Sequence, residues 1–416
     1  MKVLVVAYAC SPYHGSEPGV GWGFVKALAD LHELCVITEL GSKENIDRYL
    51  TEHPEWNGRV RFEYLPRVRR HLIERLWPPS YYWTYRRWHQ DAYRLAQQLH
   101  RQGGFDVAHQ LTMVGFREPG YLWKLGIPFV WGPVGGLGYF PWRFVPAVGG
   151  YGALYYLGYN FFNWWQMNFY SRPKRAAKTA GSGLIAVTPG NRDDMLARWG
   201  CASTVLSEVG LPREPVPRIQ ERPDGAPLRV VWVGEHTPRK ALNLGLEALG
   251  RLPSGIAWEL DVLGKGRRGA AWLRLANRLK IGDRCRFHGW IPRERALQIM
   301  QEAHVMLITS LRDLTATVTV EALALGLPIV CLDHCGFADT VNDTCGIKIP
   351  VSTPTKVIAG IAWALERLAR NEKDRRALAQ GALLRAHLYN WEDKAKILTQ
   401  IYRQRTGDAL RHNDTL

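Results

Sequence analysis

The stretch VMLITSLRDLTATVTVEALALGLPIVCLDHCGFADTVNDTCGIKI, residues 305–349, decides the fold of this chain. It opens with a short apolar run of strand length, Val305–Thr309, and a second such run covers Leu327–Cys331. The segment between them is rich in Ala and Leu and is predicted to be a loop followed by a helix. Ligands of open parallel sheets bind beyond the carboxyl ends of the strands, so residues 310–317 are expected to border a ligand.

Two acids, Asp313 and Glu321, stand eight residues apart in this stretch. Thr315 and Thr317 are expected to cap the helix, so that its first backbone N–H groups point at an anion. Glu321, one to two turns further on, then suits the two hydroxyls of a ribose. For an isolated pair of acids, two exposed side chains on a helix are the commoner explanation.

A second candidate phosphate site follows the apolar strand predicted at Leu228–Val233. The sequence there reads GEHTPRK, residues 234–240. A flexible ammonium and an adjacent guanidinium, Lys240 and Arg239, can neutralise a diphosphate leaving group when they lie between a strand and a helix. The alternative is a solvated pair of surface cations.

Residues 305–349 resemble the carboxyl-terminal signature of retaining glycosyltransferases of family four. That signature has an acid, seven residues, Glu-Ala, then Gly-x-Pro, which Glu321-Ala322 and Gly326-Leu-Pro328 match. Asp313 stands where the family usually has Glu, and Thr315-Ala316 replace Phe-Gly. The resemblance implies that Asp313 contacts hydroxyls of the donor sugar and that Glu321 holds the nucleotide ribose. It also implies that the amides of Thr315 and Ala316 hold sugar and phosphate.

The second phosphate-binding segment is similar to the same family. Its pattern there is Gly-Arg, four residues, then Lys, and Gly234 and Lys240 match that spacing. Glu235 occupies the place of the Arg, so Arg239 is the candidate substitute. The resemblance implies that Lys240 and Arg239 are catalytic and that Gly234 lies against the donor.

The first half of the chain opens with the predicted strand Val3–Ala7 and the glycine-rich SPYHGSEPGVGWG, residues 11–23. Gly19 and Gly21 are expected to let the backbone approach the donor. A dinucleotide-binding enzyme is the alternative, because Glu39 ends the second strand. Its fingerprint turns directly after the strand, whereas eleven residues separate Ala7 from Gly19 here. The segment instead resembles the family's first loop, which borders the transferred sugar.

The segment around His109, residues 105–136, resembles a polysaccharide-building branch of the family. His109 is a catalytic candidate, although the family's usual second histidine position holds Leu111. A structural histidine at a strand end is the alternative. Candidates for contact with the acceptor or a phosphate are Arg117, Gly135 and Gly136.

The composition permits a large core and limits the cellular compartment. With 416 residues and 46% hydrophobic content, two or three domains are expected. Seven cysteines, an odd number without zinc-ligand spacing, argue against a secreted disulfide-linked protein. The apolar run at Val3–Ala7 is too short for a signal peptide. We therefore expect a cytoplasmic protein.

The charge points to an anionic partner. The net charge of +16 suits a nucleic acid, a nucleotide sugar or a membrane surface. Residues 59–101 hold ten arginines against three acids, with nine aromatic residues interleaved. Read helically, this region has an apolar stripe with Arg86, Arg87, Arg94 and Arg101 off it, and the stripe consists of Tyr81, Tyr85, Trp88, Ala92, Leu95 and Leu99. A basic nucleic-acid-binding protein is the non-enzyme alternative.

A long aromatic segment without charges covers residues 144–171. Its length equals a membrane span, but its glycines weaken a helix, and Asn160, Asn163 and Gln166 are costly in hydrocarbon. Tyr and Trp prefer the headgroup region. We predict a segment that dips into one leaflet beside the arginine-rich residues 59–101, which meet anionic lipids on the inner face of the cell membrane. A buried aromatic hairpin is the alternative.

Strands and helices alternate along the whole chain, which predicts an α/β protein with two Rossmann-like doubly wound domains. An acceptor-binding domain is expected at 1–209, a proline-rich linker at 210–227, and a nucleotide-sugar domain at 228–388. The resemblance implies the GT-B arrangement, in which the domains face a cleft and a closing helix, here 389–405, crosses back to the first domain.

Taken together, these features predict a retaining glycosyltransferase. It would move a hexose from a nucleotide sugar to a lipid-linked saccharide during synthesis of a bacterial surface polysaccharide. Histidines and cysteines show no metal-ligand spacing, and the resemblance implies transfer without metal or other cofactor. No nucleic-acid partner is expected. A sugar-nucleotide 2-epimerase of the same fold is the rival enzyme.

Overall fold

A computed structural model of the protein describes residues 1–56, 58–67, 81–212 and 219–413. The chain divides into two compact units. The first comprises Met1–Leu137, Trp164–Gly210 and Trp391–Leu416, and the second comprises Gly138–Asn163 and Leu211–Asn390. Each unit is built around its own parallel sheet.

The first unit contains a seven-stranded sheet with the strand order β3-β2-β1-β4-β5-β6-β7. Its strands are β1 (Lys2–Ala7), β2 (Glu33–Glu39), β3 (Val60–Leu65), β4 (Val107–Thr112), β5 (Phe129–Val134), β6 (Leu184–Ala186) and β7 (Thr204–Val205). Neighbouring strands are parallel throughout, with Val3 opposite Leu34 on one side and Val107 on the other. Central strands of this kind are covered on both faces, which explains their continuous apolar sequences.

Helices connect these strands. They are α1 (Ser16–Ala29), α2 (Lys43–Glu52), α3 (Tyr81–Gly103), α4 (Gly150–Phe169), α5 (Ser171–Ala180) and α6 (Pro189–Trp199). On α3, four members of the predicted stripe, Tyr85, Trp88, Ala92 and Leu99, are buried, and the other two, Tyr81 and Leu95, are half-buried. The four arginines off the stripe, Arg86, Arg87, Arg94 and Arg101, are exposed. Part of the arginine-rich surface predicted at 59–101 falls on residues 68–80, outside the described residues.

The second unit contains a six-stranded parallel sheet with the order β10-β9-β8-β11-β12-β13. Its strands are β8 (Leu228–Val233), β9 (Trp258–Leu263), β10 (Cys285–Gly289), β11 (Val305–Ile308), β12 (Ile329–Leu332) and β13 (Gly346–Ile349). Its helices are α7 (Leu242–Leu249), α8 (Gly269–Arg278), α9 (Arg293–Glu302), α10 (Thr317–Ala324), α11 (Cys335–Thr340), α12 (Pro354–Arg370) and α13 (Glu372–Ala386). The predicted α/β class with two Rossmann-like sheets is confirmed.

The last helix, α14 (Trp391–Asn413), groups with the first unit. Its first residue, Trp391, explains why positions 23 and 210 are glycines, because a Cβ at Gly23 or Gly210 would lie within 2.6 Å of the Trp391 ring. The Phe24 ring meets Trp391 edge to face at 4.9 Å. This contact holds the start of α14 against α1.

The segment from Gly138 to Asn163 differs from the domain layout expected from the sequence. The prediction assigns it to the first domain at 1–209, whereas in the structure it belongs to the second unit. Side chains of Asn160 and Asn163 bind backbone groups of Phe140 and Gly138, which keeps the segment together. The predicted linker at 210–227 includes residues 213–218, which lie outside the described residues.

Candidate active site

The candidate site of the second unit lies where β8 and β11 end. These neighbouring parallel strands pair Val305 with Val230, so the segments that follow them leave the sheet at the same edge. Three hydrogen bonds tie the two segments together: Leu311 N to Arg239 O at 2.7 Å, Thr309 Oγ1 to Lys240 O at 2.7 Å, and Trp232 Nε1 to Thr309 Oγ1 at 3.0 Å. The two sequence motifs therefore lie together in one site.

Lys240, Arg239 and Asp313 meet at this edge. The Lys240 Nζ lies 2.5 Å from one carboxylate oxygen of Asp313, and Arg239 Nη1 lies 3.3 Å from the other. Burial opposes ionisation of Asp313, but the charges of Lys240 and Arg239 outweigh it and hold the pKa of that carboxyl below its usual value. The cluster therefore holds two cations and one carboxylate.

The excess positive charge is largely shielded from solvent, since the Lys240 and Asp313 side chains are 11% and 16% exposed. In such a place a charge interacts more strongly than it does in water. Gly234 lies beside the aliphatic stem of Lys240, where an added Cβ would be 3.5 Å away. Glu235 is exposed. Arg239 thus supplies the guanidinium that faces the carboxylate, and the cluster suits an anion.

The start of α10 differs from the expected cap. Ala316 occupies the capping position with φ of 62°, and it offers no side-chain acceptor. The prediction that Thr315 and Thr317 cap this helix is therefore wrong. Thr317 is the first helical residue, and the carbonyl of Thr315 accepts a bond from Thr319 Oγ1 at 2.9 Å. Ala316, between the two threonines, therefore takes the capping position, and neither threonine side chain caps the helix.

Glu321 lies on α10 and is paired with an arginine that the sequence did not single out. Arg293 Nε and Nη2 donate to the same oxygen, Glu321 Oε1, at 3.0 and 2.7 Å. The Glu321 side chain is 12% exposed and Arg293 is 56% exposed. Arg293 begins α9, 28 residues before Glu321, so no local spacing indicates this contact.

Cys335 and Gly336 complete the wall around Asp313. The Asp313 N–H donates to Cys335 Sγ at 3.2 Å. A Cβ at Gly336 would lie 2.7 Å from Thr315 Oγ1, so only glycine allows this close approach. Burial raises the pKa of the Cys335 thiol to about 12, which keeps it neutral. The β12 connection thereby fixes the backbone that carries Asp313.

In the first unit, Gly19 and Gly21 do not form the expected open loop. Both lie inside α1, which begins at Ser16. A Cβ would lie 2.6 Å from the His14 carbonyl oxygen at Gly19 and 2.1 Å from the Ala9 carbonyl oxygen at Gly21. These glycines therefore let the helix approach the protein's own backbone.

His109 is a packing residue of β4. It is fully buried, and both ring nitrogens have partners. Nε2 lies 2.8 Å from the Gly132 carbonyl oxygen, so it carries the proton, and Nδ1 lies 2.6 Å from the Tyr402 hydroxyl. Burial lowers the pKa of His109 to about 4. The catalytic prediction for His109 is not supported, and the structural alternative fits.

Arg117, Gly135 and Gly136 lie after β4 and β5. The Arg117 Nε donates to Gln166 Oε1 at 2.6 Å. Gly135 forms a parallel bridge with Gly115. Gly136 has φ of 83°, which favours glycine. Their predicted contact with the acceptor or a phosphate stays a prediction.

Glu17 is a carboxyl that the sequence analysis overlooked. It lies in the first turn of α1 and accepts a hydrogen bond from the Val114 N–H at 2.7 Å. Burial, aided by the charge of Glu208, raises its pKa to about 7, although the Val114 bond acts the other way. Glu17 can therefore both donate and accept at neutral pH.

Helix α4 decides between the alternatives for the aromatic segment at 144–171. Its buried side includes polar residues, since Asn160 and Asn163 are fully buried. Its outer side, the aromatic face, consists of Leu154, Tyr155, Leu157, Phe161, Phe162, Trp164, Trp165 and Phe169, which are 44–72% exposed. A buried aromatic hairpin is therefore wrong. Across the described ranges, no helix is long and apolar enough to span a membrane.

Parts of this chain match known proteins. Residues 216–384 match the family described as Glycosyl transferases group 1. The amylovoran biosynthesis glycosyltransferase AmsK of Erwinia amylovora is 26% identical over 155 residues, which are 36% of this chain and 37% of that protein. The chain thus aligns with little more than a third of that relative.

Solved structures match almost the whole chain. Sucrose-phosphate synthase from Thermosynechococcus elongatus has a TM-score of 0.64 at 19% identity and covers 97% of this chain and 98% of its own. Anabaena HepE in complex with UDP has a TM-score of 0.59 at 14% identity, with complete coverage of both chains. Identities this low show the fold alone, which is the GT-B glycosyltransferase fold.

Proposed function

We propose that the protein transfers a hexose from a nucleotide sugar to a lipid-linked saccharide, and the match of residues 216–384 to the family described as Glycosyl transferases group 1 supports this proposal. The transfer would serve synthesis of a bacterial surface polysaccharide and would retain the anomeric configuration. The observation that carries this proposal is the shielded cluster of Lys240, Arg239 and Asp313, whose excess positive charge suits a diphosphate. A relative that makes amylovoran and a structural neighbour that holds UDP support the substrate classes.

The chemistry assigned to this cluster is stabilisation of the leaving group. As the bond between the sugar C1 and the diphosphate oxygen breaks, negative charge develops on the nucleoside diphosphate. Lys240 and Arg239 offset that charge in place, without reorganisation. The acceptor hydroxyl attacks C1 from the face that the leaving group vacates, and a phosphate oxygen takes its proton. No protein base is required for this step, and no metal enters it.

The two acids have separate roles in this proposal. Asp313 accepts hydrogen bonds from hydroxyls of the donor sugar. Glu321 Oε1 is held by Arg293, so Oε2 faces the nucleotide ribose as the second acceptor. Arg293 thereby fixes the orientation of the Glu321 carboxylate, which would be mobile without this partner.

The aromatic face of α4 is assigned to an anionic lipid bilayer. A helix that buries asparagines and exposes aromatic side chains has the polarity that suits an apolar exterior. Arg143 precedes the helix and is exposed, and Arg175 and Lys178 are exposed on α5, which contains no acid. Tryptophan prefers the headgroup region and cations attract anionic lipids. The protein would then bind its lipid-linked acceptor at the bilayer surface in which that acceptor is anchored.

The proposal is tested with a panel of nucleotide sugars. The donor that binds should raise the melting temperature in proportion to the logarithm of its concentration above its Kd. The same donor should then label a polyprenyl-diphosphate saccharide in vesicles. Conversion of the donor into its 2-epimer without transfer would favour the epimerase. Salt-sensitive retention on DNA, with no effect of any nucleotide sugar, would favour the nucleic-acid-binding alternative.

A further inference from the structure

The inner face of α4 lies against the loops of the candidate active site. The side chain of Asn160 anchors the helix, because its amide donates to the Phe140 carbonyl at 2.8 Å and its oxygen accepts from the Phe140 N–H at 2.9 Å. Both groups are buried, so the pair fixes the rotation of the helix. With the helix in this orientation, Tyr156 and Tyr159, which are about one helical turn apart, face the loops that carry Arg239 and Arg312 in the same unit.

Tyr156 contacts the loop that carries Lys240. Its ring stacks on Phe140 with centroids 3.9 Å apart, and it is 4% exposed. Burial raises the pKa of the Tyr156 hydroxyl, and the nearby backbone of Arg239 opposes that rise. The residue next to Lys240 therefore lies beside a side chain that is itself fixed by packing.

Tyr159 contacts the loop that carries Asp313. The Arg312 guanidinium lies over its ring at 3.7 Å, within the range of a cation–π interaction. The carbonyl of Arg312 accepts a hydrogen bond from Arg239 Nη1 at 3.2 Å. A chain of contacts thus links Tyr156, Arg239, Arg312 and Tyr159. Arg239 and Arg312 are the chain neighbours of Lys240 and Asp313, so these contacts reach the backbone of both site residues.

We infer that Tyr156 and Tyr159 are positioning residues of the donor site, which hold the Lys240 loop and the Asp313 loop at the separation that a nucleoside diphosphate requires. This inference rests on the proposed function, in which Lys240 binds the donor diphosphate. Loops after strands are the mobile part of such folds, and a displacement of about 1 Å lowers binding and catalysis strongly. Two aromatic side chains on a rigid helix remove that freedom.

The inference is tested by the affinity for a nucleoside diphosphate in isothermal titration. The probe is whichever of UDP, GDP, ADP and dTDP binds the wild-type protein most tightly. Tyr156→Phe deletes only the hydroxyl and should weaken binding about fivefold, the equivalent of one hydrogen bond. Tyr159→Leu removes the aromatic ring and should weaken binding about fivefold to tenfold. Tyr159→Phe keeps a ring under Arg312 and should restore affinity to within about twofold of wild type.

Tyr155 provides a matched control because it is the neighbouring tyrosine on the same helix but 55% exposed. Tyr155→Phe should bind the probe as the wild type does. A purely structural role for the other two tyrosines would lower the melting temperature and leave affinity and donor KM unchanged. Tyr156→Phe and Tyr159→Leu with the same affinity as Tyr155→Phe would overturn the inference.

Failure of the inference is distinguishable from failure of the proposed function. If Lys240→Ala abolishes binding of the probe while both tyrosine variants bind normally, the donor site stands and only the positioning role is wrong. If no nucleoside diphosphate binds the wild-type protein, or if Lys240→Ala binds as the wild type does, the proposed function itself is wrong and the positioning role falls with it.

Discussion

At the scale of single residues, the two cations of the candidate site are not free to bind an anion, because Asp313 already forms ion pairs with both of them. One carboxylate faces both Lys240 and Arg239. An incoming diphosphate must therefore share these cations with Asp313 or replace it. This competition sets the expected behaviour of substitutions at the two ends of the ion pair.

Lys240→Ala should lower kcat/KM for hexose transfer by about two to three orders of magnitude. The variant removes a cation that acts on charge developing in the transition state. The measurement is steady-state transfer, with circular dichroism to establish that the fold is intact. Lys373→Ala is the control, since Lys373 is exposed on α13. Near-normal turnover of Lys240→Ala would remove this residue from the phosphate site.

Asp313→Asn should separate diphosphate binding from transfer. The variant keeps the shape of the side chain but leaves two cations without their carboxylate, so a nucleoside diphosphate should bind several-fold more tightly. The ligand-free protein should be less stable, because it holds buried charges without a partner. Transfer should fall, since a sugar-orienting carboxylate is lost.

These effects are measured by titration calorimetry with the nucleoside diphosphate and by thermal unfolding without it. Weaker binding of the diphosphate to Asp313→Asn would contradict the competition between Asp313 and the ligand. Unchanged transfer would contradict the sugar-orienting role.

At the scale of secondary-structure elements, α4 has two faces of different character, and each is assigned a role of its own. Its inner face carries the tyrosines beside the active-site loops, and its aromatic face is exposed. A helix normally buries its apolar side. The reversed polarity of α4 is explained when its outer surroundings are also apolar, as they are at a lipid surface.

Replacement of Trp164 and Trp165 by Ser should release the protein from anionic vesicles. Both side chains are exposed, and each contributes aromatic area at the headgroup level. The measurement is co-sedimentation with phosphatidylglycerol-containing vesicles, where bound protein should fall several-fold. Trp363→Ser is the control because Trp363 is 56% exposed on α12. Equal sedimentation of wild-type, double-variant and control proteins would exclude the aromatic face as a lipid surface.

At the scale of the whole molecule, buried neutral histidines make the fold sensitive to acid. Burial lowers the pKa of His32, His109 and His304 to about 4 and that of His89 to about 3, against 6.5 in the unfolded chain. Charges of neighbouring groups also contribute for His32, His89 and His304. Below pH 6.5 the unfolded chain therefore binds protons that the folded chain does not. Burial raises the pKa of Glu17, Glu118 and Asp339, and these carboxyls act in the opposite direction.

The free energy of unfolding should consequently fall as the pH decreases from 6.5 to about 4. The full contribution of the four histidines is present above pH 6.5 and is lost through this window. Urea unfolding at a series of pH values measures the effect, and transitions of the two units are fitted separately. A free energy of unfolding that stays constant down to pH 4.5 would contradict the prediction.

Much of the sheet structure was predictable from the sequence, for a physical reason. Parallel strands are buried on both faces, so β1, β11 and β12 are short, mostly apolar runs that stand out between helices. The two-residue strand β7 lacks such a run and was missed. The segments proposed to bind phosphate were recognisable because a strand end, a loop and a helix start follow one another along the chain, and their spacing is local.

The partners of the site residues were not predictable, because they come from distant parts of the chain. Tyr402 meets His109 from 293 residues away, and Arg293 reaches Glu321 from the preceding helix. The role of Gly21 depends on a carbonyl that folds back against it. Local spacing therefore determined which segments form strands and which loops can bind phosphate. Contacts between distant segments decided which side chains are charged, which are buried, and which face of α4 meets the active site.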